Sequence, residues 1–317
     1  MKGHRNLALI ILSAVLSNCA STPDVAVGDT GKLDIKTLQG LLPGAYSNFA
    51  QVHDEDSDLP VTDIGIRQLK TSGEPVFLFT NELRNQGKTS HDLYWLKLDR
   101  KTGQAAFHFT RLADEELSLP MQDILSIAWQ RVVPGCVMPV RRVGEHFIAQ
   151  TNPDTCVFAQ PLQGETRLVH SLSIGEDVLM IRTKLQIPGG QESGDGSPLV
   201  LQKHRGFVGW ASIRIETRSE QDEPGEWQLS QVFNTRDDGR VSHLYDQAMT
   251  PMEYGLQLAR LPRFDGEPAY FQLSVINLEN GQTQAFQWFE PGSEILNLNL
   301  DWFQANLERI GAADLLP

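Results

Sequence analysis

The sequence predicts a mainly β protein built from antiparallel hairpins, and three observations carry that reading. Short runs rich in aromatic and β-branched residues recur, among them PVFLFTNEL, LYWLKLDR, AAFHFTRL, EHFIAQT, TCVFAQPL, RLVHSLSI, VLMIRTKLQI and VGWASIRIET. Turn chemistry lies between them at Lys101-Thr102-Gly103, Arg142-Val143-Gly144, Gly164-Glu165 and Gly175-Glu176-Asp177. The regularly interleaved helices that βαβ units require are missing from the pattern, which leaves a barrel or a sandwich.

The chain opens on an export pattern. Lys2, His4 and Arg5 precede an apolar stretch from Leu7 to Leu16, too short for a bilayer core and of the length of a signal-peptide core. Leu16-Ser17-Asn18-Cys19 resembles a bacterial lipobox, although Asn18 departs from the usual small residue before the cysteine. Residues 1–18 are therefore expected to be a lipoprotein signal, Cys19 the lipidated residue, and the membrane a partner through that anchor. Ala20 suits an outer-membrane destination, and the expected location is the periplasm. An ordinary cleaved signal is the alternative. From Cys19 to Lys36 the chain is rich in Ser, Thr, Pro, Gly and Asp and reads as a tether.

A short helix is expected from Leu33 to Leu42, because Leu38, Leu41 and Leu42 share one side at helical spacing and Pro43-Gly44 ends it. The strand-rich body follows to residue 218. Glu115 to Gln130 interrupts it as a loop with a helical turn or two, and Pro188 to Ser197 reads as a flexible tip. Arg218 to Glu226 is polar and turn-rich, so a boundary is expected there, with a second β-rich domain over 219–317. In that part EWQLSQVFNT, RVSHLYD, YGLQLARL, YFQLSVINL and QTQAFQWFE read as strands. Asp237-Asp238-Gly239 and Asn280-Gly281 read as turns. The tail is expected to end in a helix over Leu300 to Ile310.

Forty acidic residues stand against 27 basic ones, a net charge of −13. That is the wrong sign for displacing counterions from nucleic acid, so no nucleic-acid partner is expected. With Cys19 lipidated, Cys136 and Cys156 remain in an oxidising compartment, and a disulfide is expected over free thiols. No metal site is expected, for want of further ligands at close spacing. His53-Asp54-Glu55-Asp56-Ser57-Asp58 lacks the glycine and terminal glutamate of a calcium loop. No serine sits in a nucleophile elbow, and no glycine-rich phosphate loop is present. Residue chemistry alone names no reaction.

Three segments resemble a known family in order and spacing. Leu42-Pro43-Gly44-Ala45-Tyr46-Ser47-Asn48 with Gln51 is similar to the opening of the CpcT/CpeT chromophore lyases. Asn81-Glu82-Leu83 stands at the family's strand bearing Glu-Gln, with Tyr94 at the tyrosine that follows. Pro134-Gly135-Cys136-Val137, with Gly144 and Cys156 downstream, resembles its Gly-Cys region. The resemblance spans about residues 37 to 215 and implies a calycin-like antiparallel barrel over 37–218, whose open end cups a linear tetrapyrrole (bilin) and delivers it to a protein cysteine. By that resemblance Tyr46 and Tyr94 would stack on or bond to a ligand, Asn48 and Gln51 would fix its carbonyls, and Glu82 would accept from ring nitrogens. Tyr46, Asn48 and Gln51 could equally close the barrel end with side-chain-to-backbone bonds. Where the lyases carry arginines after the tyrosine, this chain has Trp95, Leu96 and Lys97, leaving Lys97 as the cation for a ligand carboxylate. Three functions stay open: a non-catalytic binder of a small hydrophobic or tetrapyrrole-like ligand, a bilin lyase, and a structural envelope protein.

Overall fold

The computed structural model describes residues 35–54, 59–99, 102–160, 164–187, 192–193, 197–215, 226–261 and 269–311. The signal segment, Cys19, most of the tether and most of the loops expected at 188–197 and 218–226 lie outside them. The barrel half runs α1 (Ile35–Leu41), β1 (Gly44–Ser47), α2 (Phe49–Asp54), β2 (Thr62–Leu69), β3 (Val76–Leu83), β4 (Lys88–Leu98), β5 (Ala105–Leu112), α3 (Met121–Gln130), β6 (Met138–Val143), β7 (His146–Gln150), β8 (Val157–Gln160), β9 (Gly164–Ile174), β10 (Val178–Gln186), β11 (Glu192–Ser193) and β12 (Leu199–His204). Antiparallel pairing runs β1-β2-β3-β4-β5-β6-β7-β9-β10-β12 and returns to β1, closing a ten-strand barrel with β8 and β11 as short side additions.

Strand alternation decides what fills the bore. Phe77 and Phe79 of β3, Tyr94 and Leu96 of β4, and Phe107 of β5 point inward and join Leu38, Leu42, Tyr46, Ile66 and Leu201 in one buried core. The alternate residues Val76, Leu78, Leu93 and Trp95 point outward, yet they are buried too, because α3 lies across them with Ile124 and Ala128. A strand covered on both faces reads as a continuous apolar run, and so PVFLF and LYWL do. The segment expected as a loop with a helical turn or two thus carries a ten-residue helix. Met121, Ile124, Leu125 and Ala128 provide its apolar stripe at helical spacing.

The remaining strands are β13 (Gly206–Ile215), β14 (Glu226–Arg236), β15 (Asp238–Tyr245), β16 (Pro251–Leu261), β17 (Tyr270–Asn277), β18 (Thr283–Phe289), β19 (Ile295–Asn299) and β20 (Phe303–Ile310). They form two four-strand sheets, β14-β13-β20-β19 and β15-β16-β17-β18, whose facing sides share a core including Phe207, Leu256, Phe271, Leu273, Leu298 and Phe303. Two expectations are corrected here. The run VGWASIRI, assigned from sequence to the barrel, is β13 and pairs with β14 and β20, so the chain changes sheets at Arg205. The expected C-terminal helix is the strand β20: Phe303, Ala305 and Leu307 are buried at every second position, and that period of two outweighs helix propensity once a partner sheet is available.

Candidate functional site

The barrel core stops short of one end of the bore and leaves a cavity of about 700 Å³. Phe79, Tyr94 and Phe109 form its aromatic wall; the Tyr94 ring lies 4.3 Å from Phe79 and 5.6 Å from Phe109, centroid to centroid. Behind them runs a buried polar chain. Tyr94 Oη is 2.9 Å from His170 Nε2, and His170 Nδ1 is 2.8 Å from Thr183 Oγ1. Three strands, β4, β9 and β10, supply the three side chains. Burial pushes the His170 imidazole down to about 4, against a smaller opposing pull from Asp92, so at neutral pH the ring is uncharged. Burial likewise raises the Tyr94 hydroxyl, which stays protonated. A neutral imidazole has one N–H and one lone pair, so the chain runs in one direction, set by the tautomer.

Charged groups gather at the mouth. Asp92 accepts from Asn81 Nδ2 at 3.0 Å and from Arg111 Nε at 3.0 Å. Arg131, also on the cavity wall, pairs with Glu116. The disulfide Cys136–Cys156 joins the segment before β6 to the segment before β8, and Cys136 lies on the cavity wall. Gly135 permits this closure, because a Cβ there would overlap the Thr155 carbonyl.

Of the six candidates read from sequence, Tyr94 alone lies on the cavity wall. The Tyr46 hydroxyl donates to the carbonyls of Leu41 and Leu42, both at 2.9 Å, and holds the α1 end against β1. Asn48 donates to the Pro60 carbonyl at 3.0 Å and accepts from Thr62 N at 2.6 Å. Gln51 bridges Pro198 O at 3.1 Å and Val200 N at 3.0 Å. Pro60, Thr62 and Leu199 line the cavity, so Asn48 and Gln51 brace its wall from behind. Glu82 points outward into a separate groove of about 460 Å³ beside α3. Lys97 also points outward, with Nζ 3.5 Å from the centre of the Trp129 ring and 3.6 Å from Glu74. Arg111 and Arg131 are the cations the sequence reading missed. Arg111 was legible by alternation, since Phe107, Phe109 and Arg111 occupy one face of β5, as Leu168, His170 and Leu172 do on β9.

A second polar cluster joins barrel to sandwich. Asp63 points outward from β2 and meets Arg240 at 2.5 Å, Arg236 at 3.1 Å and Arg84 at 2.5 Å. Burial alone would raise this carboxyl, but the hydrogen bond and charge of Arg240, with Ser47 and Arg84, hold it well below the carboxylate range. His204 is buried beside it; neither ring nitrogen has a partner among the described residues, and burial with the nearby Arg236 charge lowers its pKa to about 3. Among the described residues no group of three or more His, Cys, Asp or Glu is placed to hold a metal ion, and no helix is long and apolar enough to cross a membrane.

No family model matches the chain, and no curated protein matches it. Among solved structures it is similar to the T-type phycobiliprotein lyase CpeT from Prochlorococcus phage P-HM1, at 9% identity and a TM-score of 0.35, over 54% of this chain and 97% of that one. The barrel assignment rests on the strand pairing itself: ten antiparallel strands close on one another around a bore that is filled at one end and hollow at the other.

Proposed function

We propose that this chain is an exported, lipid-anchored protein that holds a small, mostly apolar ligand in its barrel cup without transforming it. The unfilled end of a closed bore carries the reading. About 700 Å³ is the size of small-molecule pockets generally, and this one combines apolar walls with a few fixed polar groups. Tyr94 and Thr183 each keep hydroxyl valences that His170 does not use, which suits a ligand with carbonyl or N–H edges on a flat apolar body. A linear tetrapyrrole has that form and is the ligand implied by the motifs around Tyr46, Glu82 and Cys136. The anchor is the part that rests on Leu16-Ser17-Asn18-Cys19 alone.

Titration of the mature protein with biliverdin, followed by absorbance, and displacement of a fluorescent fatty acid test the cup. Saturable micromolar binding is expected, and Leu199→Trp, which puts an indole into the cavity from β12, is expected to abolish it. No saturable response to either probe, or binding untouched by Leu199→Trp, ends the reading. A zinc-fluorescent covalent adduct on a cysteine-bearing acceptor protein would replace it with lyase activity. Metabolic labelling with palmitate, lost in Cys19→Ala, tests the anchor separately.

A further inference from the structure

The sandwich carries a second concave surface on the outer side of the β14-β13-β20-β19 sheet, a shallow groove of about 960 Å³. Its inward residues fill the shared core, so the alternate side chains form the groove floor. Trp210 on β13 stands opposite Gln231 on β14 and Asn306 on β20; Ser212 stands opposite Leu229 and Gln304. Trp227 lies at the far end of β14, opposite Arg214. Trp210 is 40% exposed, Trp227 41% and Leu229 47%, and together they make one apolar patch on this face.

The chemistry of this floor selects among occupants. Glu308 is the one charged residue among the described groove-lining residues, and Arg214 stands at their edge opposite Trp227, a single cation where a polyanion needs a row of them. A protein partner with an apolar core would cover Gln231, Gln304 and Asn306 and leave their amides unpaired, which is costly. An uncharged polyol meets both requirements. A sugar ring has an apolar C–H face that packs on an indole and a rim of hydroxyls that both donate and accept, as side-chain amides do. The two indole N–H groups and the amides of Gln231 and Gln304 have no hydrogen-bond partner among the described residues. Asn306 Nδ2 donates to Asn297 Oδ1 at 2.7 Å, which leaves Asn306 Oδ1 as an acceptor and the Asn297 amide as a donor.

The local backbone holds this arrangement in place. A register shift between Phe207 and Gly209 immediately precedes Trp210, a device that re-aims the next side chain. Gly209 is needed there, because a Cβ would overlap the Asn306 carbonyl. Gln231, the partner of Trp210, lies four positions along β14 from Trp227, about 13 Å at the usual rise of a strand. The two rings therefore suit different units of one chain, not a single monosaccharide.

We infer that this face binds a neutral oligosaccharide, with Trp210 and Trp227 as stacking platforms and Gln231, Gln304 and Asn306 as hydroxyl partners. The site is separate from the barrel cup. The test is native electrophoresis of the full mature chain in gels containing hydroxyethylcellulose, xylan, starch or dextran, followed by calorimetry with cellohexaose, xylohexaose and maltohexaose. Retardation by at least one polysaccharide is expected, with Trp210→Ala and Trp227→Ala each weakening hexasaccharide binding at least tenfold while biliverdin binding and the melting temperature stay as in the parent. Three results would overturn it: no retardation by any of the four, retardation that persists in the double variant, or a dimer in sedimentation that Trp210→Ala dissolves, since a second copy would then cover the face.

Discussion

Tyr94 and His170 come from strands 76 positions apart in the chain and meet at 2.9 Å inside the barrel. The contact exists because the β7–β9 and β9–β10 pairings bring β9 across the bore from β4. It couples the aromatic wall of the cup to a titratable ring that the fold keeps neutral.

Burial of that ring makes stability acid-sensitive in a defined window. The His170 pKa lies near 4 in the fold and near 6.5 when unfolded, so between these values the unfolded chain holds a proton that the native chain lacks. Its contribution is complete above pH 6.5 and is lost as the pH falls toward 4, by about 1.4 kcal/mol per pH unit. His204, near 3 in the fold, has the same sign. Asp63 has the same sign in a lower window: its contribution is lost only as the pH falls below its unfolded value near 3.8. Urea midpoints should hold level from pH 7.5 to about 6.5 and fall from there to pH 4.5, and His170→Gln should flatten that fall.

Tyr46 should prove structural. Tyr46→Phe removes the hydroxyl that holds two carbonyls at the end of α1, at an expected cost of about 1 kcal/mol or somewhat more in urea unfolding. Biliverdin affinity should not change. A loss of affinity at unchanged stability would place Tyr46 in the ligand site.

The barrel–sandwich junction depends on a charge held out of water. Arg240→Met leaves Asp63 with Arg236, Arg84 and Ser47 and takes from the buried Asp238 its Arg240 partner, and a destabilisation of roughly 3 kcal/mol is expected. Asp63→Asn in the same background should recover part of it, read as a shift in the melting temperature.

The disulfide closes a loop of 20 residues. By the chain-entropy estimate it stabilises the fold by about 3 kcal/mol. Cys136→Ala with Cys156→Ala should lower the urea midpoint accordingly, and thiol titration of the unfolded, unreduced parent should find neither of these two cysteines free.

How much of this was legible follows from which interactions are local. Hairpin turns such as Asn280-Gly281 and the period-two runs depend on neighbours along the chain, so the mainly β class and most strands could be read directly. The helix α3 reads from sequence as only a helical turn or two, because Pro120 and the acidic stretch before it look like a loop. The tail misled in the other direction: ANLERI favours a helix until β13 offers β20 a partner.

The chain's own order of residues pointed to the antiparallel class and to a Cys136–Cys156 disulfide, because alternation and cysteine pairing operate on local pattern and count, while Tyr94 was singled out by a family resemblance. Which strand closes the barrel, where the chain leaves it at Arg205, and why His170, Arg111 and Arg131 gather at one hollow end were decided only in three dimensions. Those outcomes depend on contacts between segments scores of residues apart, and one residue's shift in register would turn every one of those side chains to the opposite face.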